Sequence, residues 1–369
     1  MPKEGIISNM DFSEYLTRCE KEINSILPKA PDSNWASAAF GSVEKPFSID
    51  QTATLIEPTR SLVELGGKRW RPLLLVFCAM ASSKDNALER DRIIRNAYHL
   101  CPLVECIHTA SLIHDDIEDS SEERRGQPAA YITYGLDTAL NAGSWLYFLS
   151  STCINSLDAD DATKLRLYSL FTEEVRRLHL GQALDIKWHR TAELCPSTDE
   201  YLAMVKYKTG TLSSLAAKTG TLVSGADDDK ITRAGKTAAK IGAGFQIIDD
   251  CINLTSGNPG KKRGDDIVEG KKSLPVLLFL EKNPDKGQTL FECLEQASIY
   301  GIESPSVEKA ISLLNESGVI TQAADRGVSF IREGCLEFEA LYGKSDECGM
   351  IKVLFDSMIP PDFAREGAI

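Results

Sequence analysis

The sequence predicts an all-α protein that forms a single large helical domain. Apolar residues recur at helical spacing from Ile93 to Ile113, as expected for a buried helix. The same period returns in residues 165–184, 201–223, 231–254 and 307–341. Strand patterns bounded by tight hairpin turns are absent, and no Gly-, Ser- or Pro-rich stretch is long enough to link two domains. We therefore expect roughly ten or more helices in one domain, residues 1–369.

Glycine and proline mark the expected joints between these helices. Gly66, Gly67 and Pro72 interrupt the helical pattern at one place, and the 125–128 segment does so at another. Residues up to about position 52 form an N-terminal extension. Within it, residues 34–52 are predicted to be an irregular connection.

The composition narrows the range of partners. The chain has 369 residues, of which 43% are hydrophobic, and its formal net charge is -13. An acidic chain without a long Lys/Arg run repels nucleic acid, so we expect no nucleic-acid partner. Any anion that the protein binds must be held by local basic clusters or by metal ions.

The cysteines and the chain start favour a cytoplasmic protein. None of the ten cysteines forms a CxxC pair, and several fall in apolar helical stretches, which is typical of buried reduced thiols rather than of zinc sites or disulfides. Residues 1–12 lack a basic region followed by an apolar run, so a secretory signal is not expected. The longest apolar runs, such as Leu73 to Met80, are too short for a transmembrane segment.

The first acidic motif ends the long apolar helix around Ile93–Ile113. Asp115 and Asp119 are four residues apart and share one helical face, with Asp116 about 100° around the same turn. Carboxylates at this spacing can hold divalent ions, and magnesium takes its remaining ligands from water and phosphate oxygens. The alternative interpretation is an exposed acidic helix end. Like charges at a helix C-terminus oppose the helix dipole, which favours the metal site.

Two basic clusters flank this motif. One is the segment 66–72, in which Lys68, Arg69 and Arg71 follow two glycines, and the other is the Arg124–Arg125 pair. Lys and Arg suit phosphate oxygens, and glycines allow close backbone approach. Each cluster alone is most simply a set of surface charges. Together, beside an acidic motif in an acidic chain, they indicate a diphosphate pocket. His108 lies seven residues before the first aspartate and on its own fits a core histidine.

A second acidic motif ends another apolar helix. Gln246, Asp249, Asp250 and Asn253 follow the i, i+3, i+4, i+7 pattern of one helical face. Two acidic ends of apolar helices can face each other across one cavity. Lys208, Thr209 and Lys271 supply further candidate donors to phosphate. These candidates come from the residue types and their spacing alone.

In combination, these motifs resemble the trans-isoprenyl diphosphate synthase family. In the detail of the motifs, they are most similar to its geranylgeranyl diphosphate synthases. Residues 66–72 resemble the GGKxxRP motif, residues 115–126 resemble DDxxD followed by RRG, and residues 245–253 resemble FQxxDDxxD. Gly181-Gln182 with Asp185, Lys208–Gly210 and Gly264–Lys271 also match in the family's order. The likeness runs from about residue 62 to residue 275 and, more weakly, to the C-terminus. DDxxD alone is shared with terpene cyclases.

The resemblance implies an activity and a set of site residues. The activity is a prenyltransferase of isoprenoid biosynthesis that condenses isopentenyl diphosphate with an allylic diphosphate, usually as a homodimer. The implied fold is the isoprenoid synthase fold, a single large helical bundle around a deep central cavity. About three magnesium ions per active site would be held by aspartates, namely Asp115, Asp116, Asp119, Asp249 and Asp250. The allylic diphosphate would be contacted by Arg124, Lys208, Thr209, Gln246 and Lys271. The diphosphate of isopentenyl diphosphate would be held by Lys68, Arg71, His108 and Arg125.

One position departs from the commoner pattern, because Asn253 stands where a third acid is usual. An Asn carbonyl is a weaker, neutral metal ligand, so its coordination role is open. Geranylgeranyl-type synthases of animals and fungi look similar here. Asn253→Asp is therefore expected to keep activity.

Product length is predicted from the residues one turn before Asp115. Ala110 and Ser111 are small, and five helical residues span about 7.5 Å, so a long prenyl tail could pass where an aromatic ring would block it. The predicted product is geranylgeranyl diphosphate or longer, with farnesyl diphosphate as an alternative. An equally simple interpretation is that both small residues only allow close helix packing.

Two other functions compete with the synthase interpretation. A terpene cyclase also ionises prenyl diphosphates but needs no second diphosphate site, so Lys68, Arg71 and Arg125 argue against it. A regulatory subunit paired with an active synthase would be favoured by loss of either Asp pair, and both pairs are present.

Overall fold

The chain is helical nearly throughout, as the sequence predicts. The computed structural model describes residues 11–42, 48–83, 89–191, 194–257 and 262–364. Helices account for 79% of the chain. Two compact units are present. The first combines residues 1–175, 215–235 and 341–354, and the second combines 176–214, 236–340 and 355–369.

The first eight helices belong to the first unit. Their bounds are α1 Ser13–Ile26, α2 Ser33–Phe40, α3 Ala53–Glu64, α4 Trp70–Ser82, α5 Arg90–His99, α6 Cys101–Glu118, α7 Ala130–Tyr134 and α8 Leu136–Leu149. Short 3-10 turns lie at Ile49–Thr52 and Ser150–Ile154.

The remaining helices lie in the second unit or have residues assigned to both units. Their bounds are α9 Asp161–Arg190, α10 Thr198–Val205, α11 Thr211–Val223, α12 Asp228–Leu254, α13 Asp265–Val268, α14 Leu274–Lys282, α15 Gly287–Tyr300, α16 Pro305–Glu316, α17 Val319–Tyr342 and α18 Asp346–Asp356. A single π-helical turn, Lys206–Gly210, joins α10 to α11, and 3-10 turns lie at Pro284–Lys286 and Pro361–Phe363. The prediction of one domain for residues 1–369 stays a prediction.

Helix α6 is the central element of the first unit. Pro102 sits in its first turn, where the missing N–H costs nothing, and residues 101–107 are all buried. It packs against α8, where Gly143 lets the His114 ring come close. A Cβ at Gly143 would lie 3.0 Å from His114 Cδ2. The helix therefore carries its acidic motif at the end that leaves the core.

The second unit is built on α12 and α17. Ile247 and Cys251 of α12 are fully buried in a core cluster that also includes Ala323 of α17. Gly244 and Gly327 lie where the two helices cross, and a Cβ at Gly244 would meet the Gly327 carbonyl oxygen at 2.6 Å. Small residues at this crossing bring the backbones into contact and fix the position of the second acidic motif.

The N-terminal extension is more regular than the sequence predicted. Residues 33–40 form α2, because the Asp32 side chain accepts a hydrogen bond from the Trp35 N–H at 2.7 Å and caps the helix. The Trp35 and Phe40 rings pack on Trp145 of α8. The predicted irregular connection over 34–52 was therefore wrong for residues 34–40 and for the 3-10 turn that follows. Residues 1–10 and 43–47 lie outside the described residues.

A small hairpin follows α6, where no strand was expected. Strand β1, Glu123–Arg124, pairs antiparallel with β2, Gln127–Pro128. The two loop residues Arg125 and Gly126 have φ of 55° and 73°, as a type I′ turn requires. Two residues per strand give too little periodicity to be recognised in a sequence. The hairpin turns the chain back toward the aspartates of α6.

Most of the cysteines are buried, as predicted. All ten are free thiols, and nine of them are buried. Burial raises the pKa of the Cys106 thiol well above its usual value, which keeps it protonated and unreactive. Cys195 is exposed. Within the described residues, no helix combines the length and the apolar character needed to cross a membrane.

Candidate active site

Three aspartates lie at the carboxyl end of α6. Asp115 and Asp119 are half-buried and one turn apart on the same face, whereas Asp116 is only 1% exposed. The Asp119 N–H donates to the Asp115 carbonyl oxygen at 2.8 Å and closes the last turn. Three carboxylates at the negative end of a helix need cationic partners.

The hairpin supplies the first of these cations. Arg124 Nε donates to Asp116 Oδ1 at 2.8 Å, and Arg124 Nη2 lies 3.8 Å from Asp115 Oδ2. Burial alone would lower the pKa of Arg124, but Asp116 and Asp115 raise it above its ordinary value. The three acids are thus not equivalent. Asp116 anchors Arg124, while Asp115 and Asp119 lie on one face of the helix as partly buried residues.

The two glycines before α4 accommodate the other arginine of the hairpin. Arg125 donates from Nη1 to the Gly66 carbonyl oxygen. Gly67 has φ of 151°, and a Cβ there would lie 3.2 Å from Arg125 Nη2. A side chain at Gly67 would therefore be strained and would press on the guanidinium. Two motifs that are far apart in the sequence meet at this contact.

A second basic group surrounds Arg71 at the start of α4. Its Nη1 lies 3.2 Å from His108 Nε2, and its guanidinium stacks over the Trp70 ring at 4.3 Å. Its Nε is buried with no hydrogen-bond acceptor among the described residues. Burial and the nearby Arg125 lower the pKa of Arg71 to about 10, against the opposing effect of Glu105. With Lys68 exposed just before α4, this cluster has an excess of positive charge that a diphosphate would neutralise.

In the second unit, Lys208 and Thr209 lie on the π-helical turn. Such turns are rare and frequently mark functional sites. Gly181 of α9 makes room for this turn, since a Cβ there would lie 2.2 Å from the backbone nitrogen of Lys208. Lys208 pairs with Asp185, one turn further along α9. The glycine of the 181–182 motif therefore fixes the position of a candidate phosphate donor.

A chain of hydrogen bonds connects this turn to the second acidic motif. The Thr209 hydroxyl donates to Gln246 Oε1 at 2.7 Å, and Gln246 Nε2 donates to Asp250 Oδ1 at 2.8 Å. The buried Tyr201 hydroxyl donates to the other oxygen, Asp250 Oδ2, at 2.8 Å. Both oxygens of Asp250 are therefore held in a defined orientation. A cleft lies over this chain, and its lining includes Asp185, Lys208, Thr209, Gln246, Asp250 and Lys271.

Asp250 is buried close to other carboxylates. Burial, the neighbouring Asp266 and the exposed Asp249 raise the pKa of Asp250 to about 8, although Gln246 and Tyr201 act in the opposite direction. Lys271 contacts Asp266 at 3.2 Å. A carboxylate with a pKa raised in this way is stabilised when a cation binds beside it.

The residues present fit magnesium. No group of three His, Cys, Asp or Glu in the described part of the chain forms a metal cage by itself. Magnesium commonly binds through one or two carboxylates together with substrate phosphate oxygens and water. The pair Asp115 and Asp119 and the buried Asp250 offer such partial sites, each beside basic residues.

Comparison with known proteins identifies the family. The sequence model of the polyprenyl synthetase family matches residues 52–312. The chain belongs to the polyprenyl synthetase family. It is accordingly a prenyl diphosphate synthase, a trans-prenyltransferase of the all-α isoprenoid synthase fold.

The relatives share most of the chain. A geranylgeranyl pyrophosphate synthase of Aspergillus flavus is 32% identical over 355 residues, 95% of this chain and 94% of the relative. A geranylgeranyl diphosphate synthase of Methanosarcina mazei is 28% identical over 335 residues, 89% of this chain and 97% of the relative.

Solved structures agree on the fold. A geranylgeranyl pyrophosphate synthetase from Pyrococcus horikoshii superposes with a TM-score of 0.76 at 27% identity, covering 96% of this chain and 97% of that one. A polyprenyl synthase from Caulobacter crescentus, complexed with calcium and isoprenyl diphosphate, has a TM-score of 0.74 at 23% identity and covers 94% and 95%.

Within each unit, the structure brings most of the predicted polyprenyl synthetase site residues together. In the first unit, Arg124 joins the α6 aspartates, and Arg71, His108 and Arg125 form the basic cluster. In the second unit, Asp250, Gln246, Thr209, Lys208 and Lys271 line one cleft. Asp249, the residue before Asp250 on α12, is exposed.

Sequence reasoning missed three residues that hold this arrangement in place. Tyr201 orients Asp250, Asp266 stands beside it, and Glu105 contacts His108. Glu105 and Tyr201 sit in apolar stretches, where a lone polar residue carries little signal. Asp266 lies within a matched motif but is not among the predicted site residues.

Asn253 has a structural contact that the sequence did not indicate. It is fully buried, and its side-chain oxygen accepts a hydrogen bond from the Asp266 N–H at 3.3 Å. Its side-chain nitrogen has no hydrogen-bond partner among the described residues. Asn253 thus ties the short helix α13, which carries Asp266 and precedes Lys271, to α12. This contact does not depend on whether Asn253 binds a metal ion.

We expect Asn253→Asp to retain condensation activity within about tenfold, because a carboxylate oxygen can still accept the Asp266 N–H. Asn253→Leu has a similar volume but no acceptor, so α13 should loosen and activity should fall further. Steady-state rates and thermal unfolding of both variants test this. Equal activity of the Leu and Asp variants would contradict the proposed role of the contact with α13.

Proposed function

We propose that this synthase condenses isopentenyl diphosphate with an allylic diphosphate, with magnesium as its cofactor, and releases diphosphate. The observation that carries the proposal is the presence of two kinds of basic group. Arg124, Lys208 and Lys271 are each paired with a carboxylate, whereas the Arg71 cluster carries excess positive charge. Two kinds of basic group suit two diphosphates, of which one leaves in the reaction and the other stays on the product.

The paired groups are proposed to serve the allylic diphosphate. Its carbon–oxygen bond breaks, the electron pair stays on the diphosphate, and an allylic cation remains. Arg124, Lys208 and Lys271 would stabilise the charge that develops on the leaving group, and Thr209 and Gln246 would help to fix its position. Magnesium, held through Asp115, Asp119 and Asp250, would supply further neutralisation of the diphosphate oxygens. Asp116 and Asp249 would contribute through Arg124 and Asp250, respectively.

The Arg71 cluster is proposed to hold isopentenyl diphosphate through Lys68, Arg71, Arg125 and His108. The double bond of that substrate attacks the allylic cation, a carbon–carbon bond forms, and a proton leaves for the departing diphosphate. No side chain has to act as a base. A terpene cyclase has a single diphosphate to bind, so this second cluster favours the condensing reaction.

Product length is proposed to be geranylgeranyl or longer. The two relatives described above are named geranylgeranyl synthases. Ala110 is fully buried, whereas Ser111 is half-buried and donates its hydroxyl to the His108 carbonyl oxygen at 2.8 Å. At this level of α6, Ser111 is therefore the accessible residue, and Ala110 packs in the core.

A homodimer is proposed from an apolar stripe on α8. Leu136, Leu140 and Phe148 are 55%, 47% and 73% exposed and follow one side of the helix. Such a stripe on a folded unit is commonly covered by a partner, and a second copy is the occupant expected for this family.

The ten free cysteines support the expected cytoplasmic location, because disulfides are rare in cytosolic proteins.

Purified protein supplied with magnesium, isopentenyl diphosphate and an allylic primer should release diphosphate and form a longer prenyl diphosphate. EDTA should stop the reaction. Asp115→Ala should lower turnover by at least about 100-fold, since electrostatic stabilisation of the leaving group is lost, while circular dichroism stays unchanged. Chromatography of the products with separate primers measures both outcomes.

The matched control for this assay is Asp285→Ala, which removes an exposed aspartate and should leave the rate unchanged. A failure to condense isopentenyl diphosphate with any of the primers would contradict the proposed function. Full activity of Asp115→Ala would remove Asp115 from the proposed magnesium site.

We expect Ser111→Phe to shorten the product, because an aromatic ring would fill the accessible space at this level of α6. Ser111→Ala removes only the hydroxyl and should leave the length distribution unchanged. Mass spectrometry of the products reads out chain length directly. An unaltered distribution in Ser111→Phe would show that the tail does not pass this residue.

Light scattering should give twice the chain mass for the wild-type protein. Phe148→Glu should shift the population toward monomer, since a charge would be buried in the apolar stripe. Leu336→Glu alters a leucine that is 66% exposed on α17 and is the control expected to stay dimeric. A monomeric wild-type protein would refute the dimer proposal.

A further inference from the structure

Arg69 adopts a backbone conformation that needs support. Its φ of 46° and ψ of 27° are left-handed, which is uncommon for a residue other than glycine. All three branches of its guanidinium are engaged. Nε donates to Glu20 at 2.6 Å, Nη1 to Glu105 Oε1 at 2.7 Å and Nη2 to the Val63 carbonyl oxygen at 2.6 Å. These contacts hold the turn on which Lys68 and Arg71 are mounted.

Glu105 extends this network to the basic cluster. It lies on α6, is 3% exposed, and its Oε1 is 3.3 Å from His108 Nδ1. On the far side of the ring, His108 Nε2 is 3.2 Å from Arg71 Nη1. The buried carboxylate is therefore linked through the imidazole to the guanidinium.

The direction of these hydrogen bonds follows from what each group can do. Arginine only donates, so Nε2 of His108 must accept from Arg71. The ring proton then resides on Nδ1 and is donated to Glu105. In this arrangement His108 is neutral and keeps Arg71 Nη1 in a fixed direction.

Charge balance agrees with this geometry. Burial and the neighbouring Arg71 lower the pKa of His108 to about 4, with Arg125 acting in the same sense and Glu105 opposing. Burial alone would raise the pKa of Glu105, but His108, Arg69 and Arg71 hold it below its usual value. At neutral pH the group is thus an ionised Glu105 and a neutral His108.

We propose that Glu105 is a positioning residue for the isopentenyl diphosphate subsite. Through His108 it fixes the direction of Arg71, and through Arg69 it fixes the turn that carries Lys68. The inference rests on the proposed function, because it takes this basic cluster to be the isopentenyl diphosphate subsite. Glu20, the other carboxylate on Arg69, belongs to α1, outside the residues that the family model matches. The N-terminal extension therefore supports the turn that carries the subsite.

Glu105→Gln tests this role in the full-length enzyme. Gln keeps the shape but loses the charge, and its single carbonyl oxygen replaces an ionised carboxylate as acceptor for both Arg69 and His108. We expect the KM for isopentenyl diphosphate to rise at least about tenfold, equivalent to about 1.4 kcal/mol. The KM for the allylic diphosphate should stay within about twofold. A KM for isopentenyl diphosphate that stays within that same range overturns the proposal.

Glu174→Gln is the matched control for a purely structural loss. Glu174 is 1% exposed and pairs with Lys218 in the same unit, so it is also a buried glutamate with a cation partner. Its substitution should lower the melting temperature without changing either KM. If it raised the KM for isopentenyl diphosphate as much as Glu105→Gln does, the specific role of Glu105 would be refuted.

A spectroscopic measurement on the wild-type enzyme covers the case in which Glu105→Gln does not fold. The chain has five histidines, so ¹⁵N labelling of histidine gives few signals, and His108→Gln assigns the relevant one. A neutral ring protonated on Nδ1 is the expected result. A ring protonated on Nε2 overturns the proposal.

Arg71→Lys separates failure of this inference from failure of the proposed subsite. If Arg71→Lys leaves the KM for isopentenyl diphosphate unchanged, the subsite assignment fails and the inference fails with it. If Arg71→Lys raises that KM and Glu105→Gln does not, only the role of Glu105 fails.

Discussion

Compensation of buried carboxylate charge is the constraint on which this site depends. Glu105, Asp116 and Asp250 all have less than a tenth of their surface exposed, and an uncompensated buried charge is costly. Arg69 and Arg124 compensate the two acids on α6. Asp250 receives hydrogen bonds, but burial and the neighbouring Asp266 still raise its pKa. The positions of the Arg69 and Arg124 side chains follow from the carboxylates that hold them.

Glycine makes the positions of two cations possible. Gly67 leaves room for Arg125, and Gly181 leaves room for the turn that carries Lys208. In both places a side chain would displace a cation rather than merely loosen the packing. The glycines of these motifs therefore act on phosphate binding indirectly, through the arginine and lysine that they admit.

The helical fold could be predicted from the sequence because it depends on local spacing, and the same holds for the shared helical face of the candidate metal-binding acids. Asp115 and Asp119 are one turn apart in any helix, so their shared face needed no structure. The contact between Asn253 and Asp266 joins residues across a loop, and no periodicity reports it. The same holds for Glu105, whose partners Arg69 and His108 come from different elements. The α2 helix was missed because its hydrophobic periodicity in the sequence is short and weak. The helix is stabilised instead by the Asp32 cap and by aromatic packing on Trp145.

The distribution of charge also bears on how two diphosphates can be told apart. Arg124, Lys208 and Lys271 are each balanced by an aspartate, so they offer little net attraction to an anion until divalent cations are added. The Arg71 cluster has Glu105 as its nearby carboxylate and attracts a diphosphate without help. In the proposed reaction, metal ions would thus be needed at the diphosphate that leaves, where charge develops. The diphosphate that remains on the product would be held by side chains alone, and its bond to carbon would not be activated.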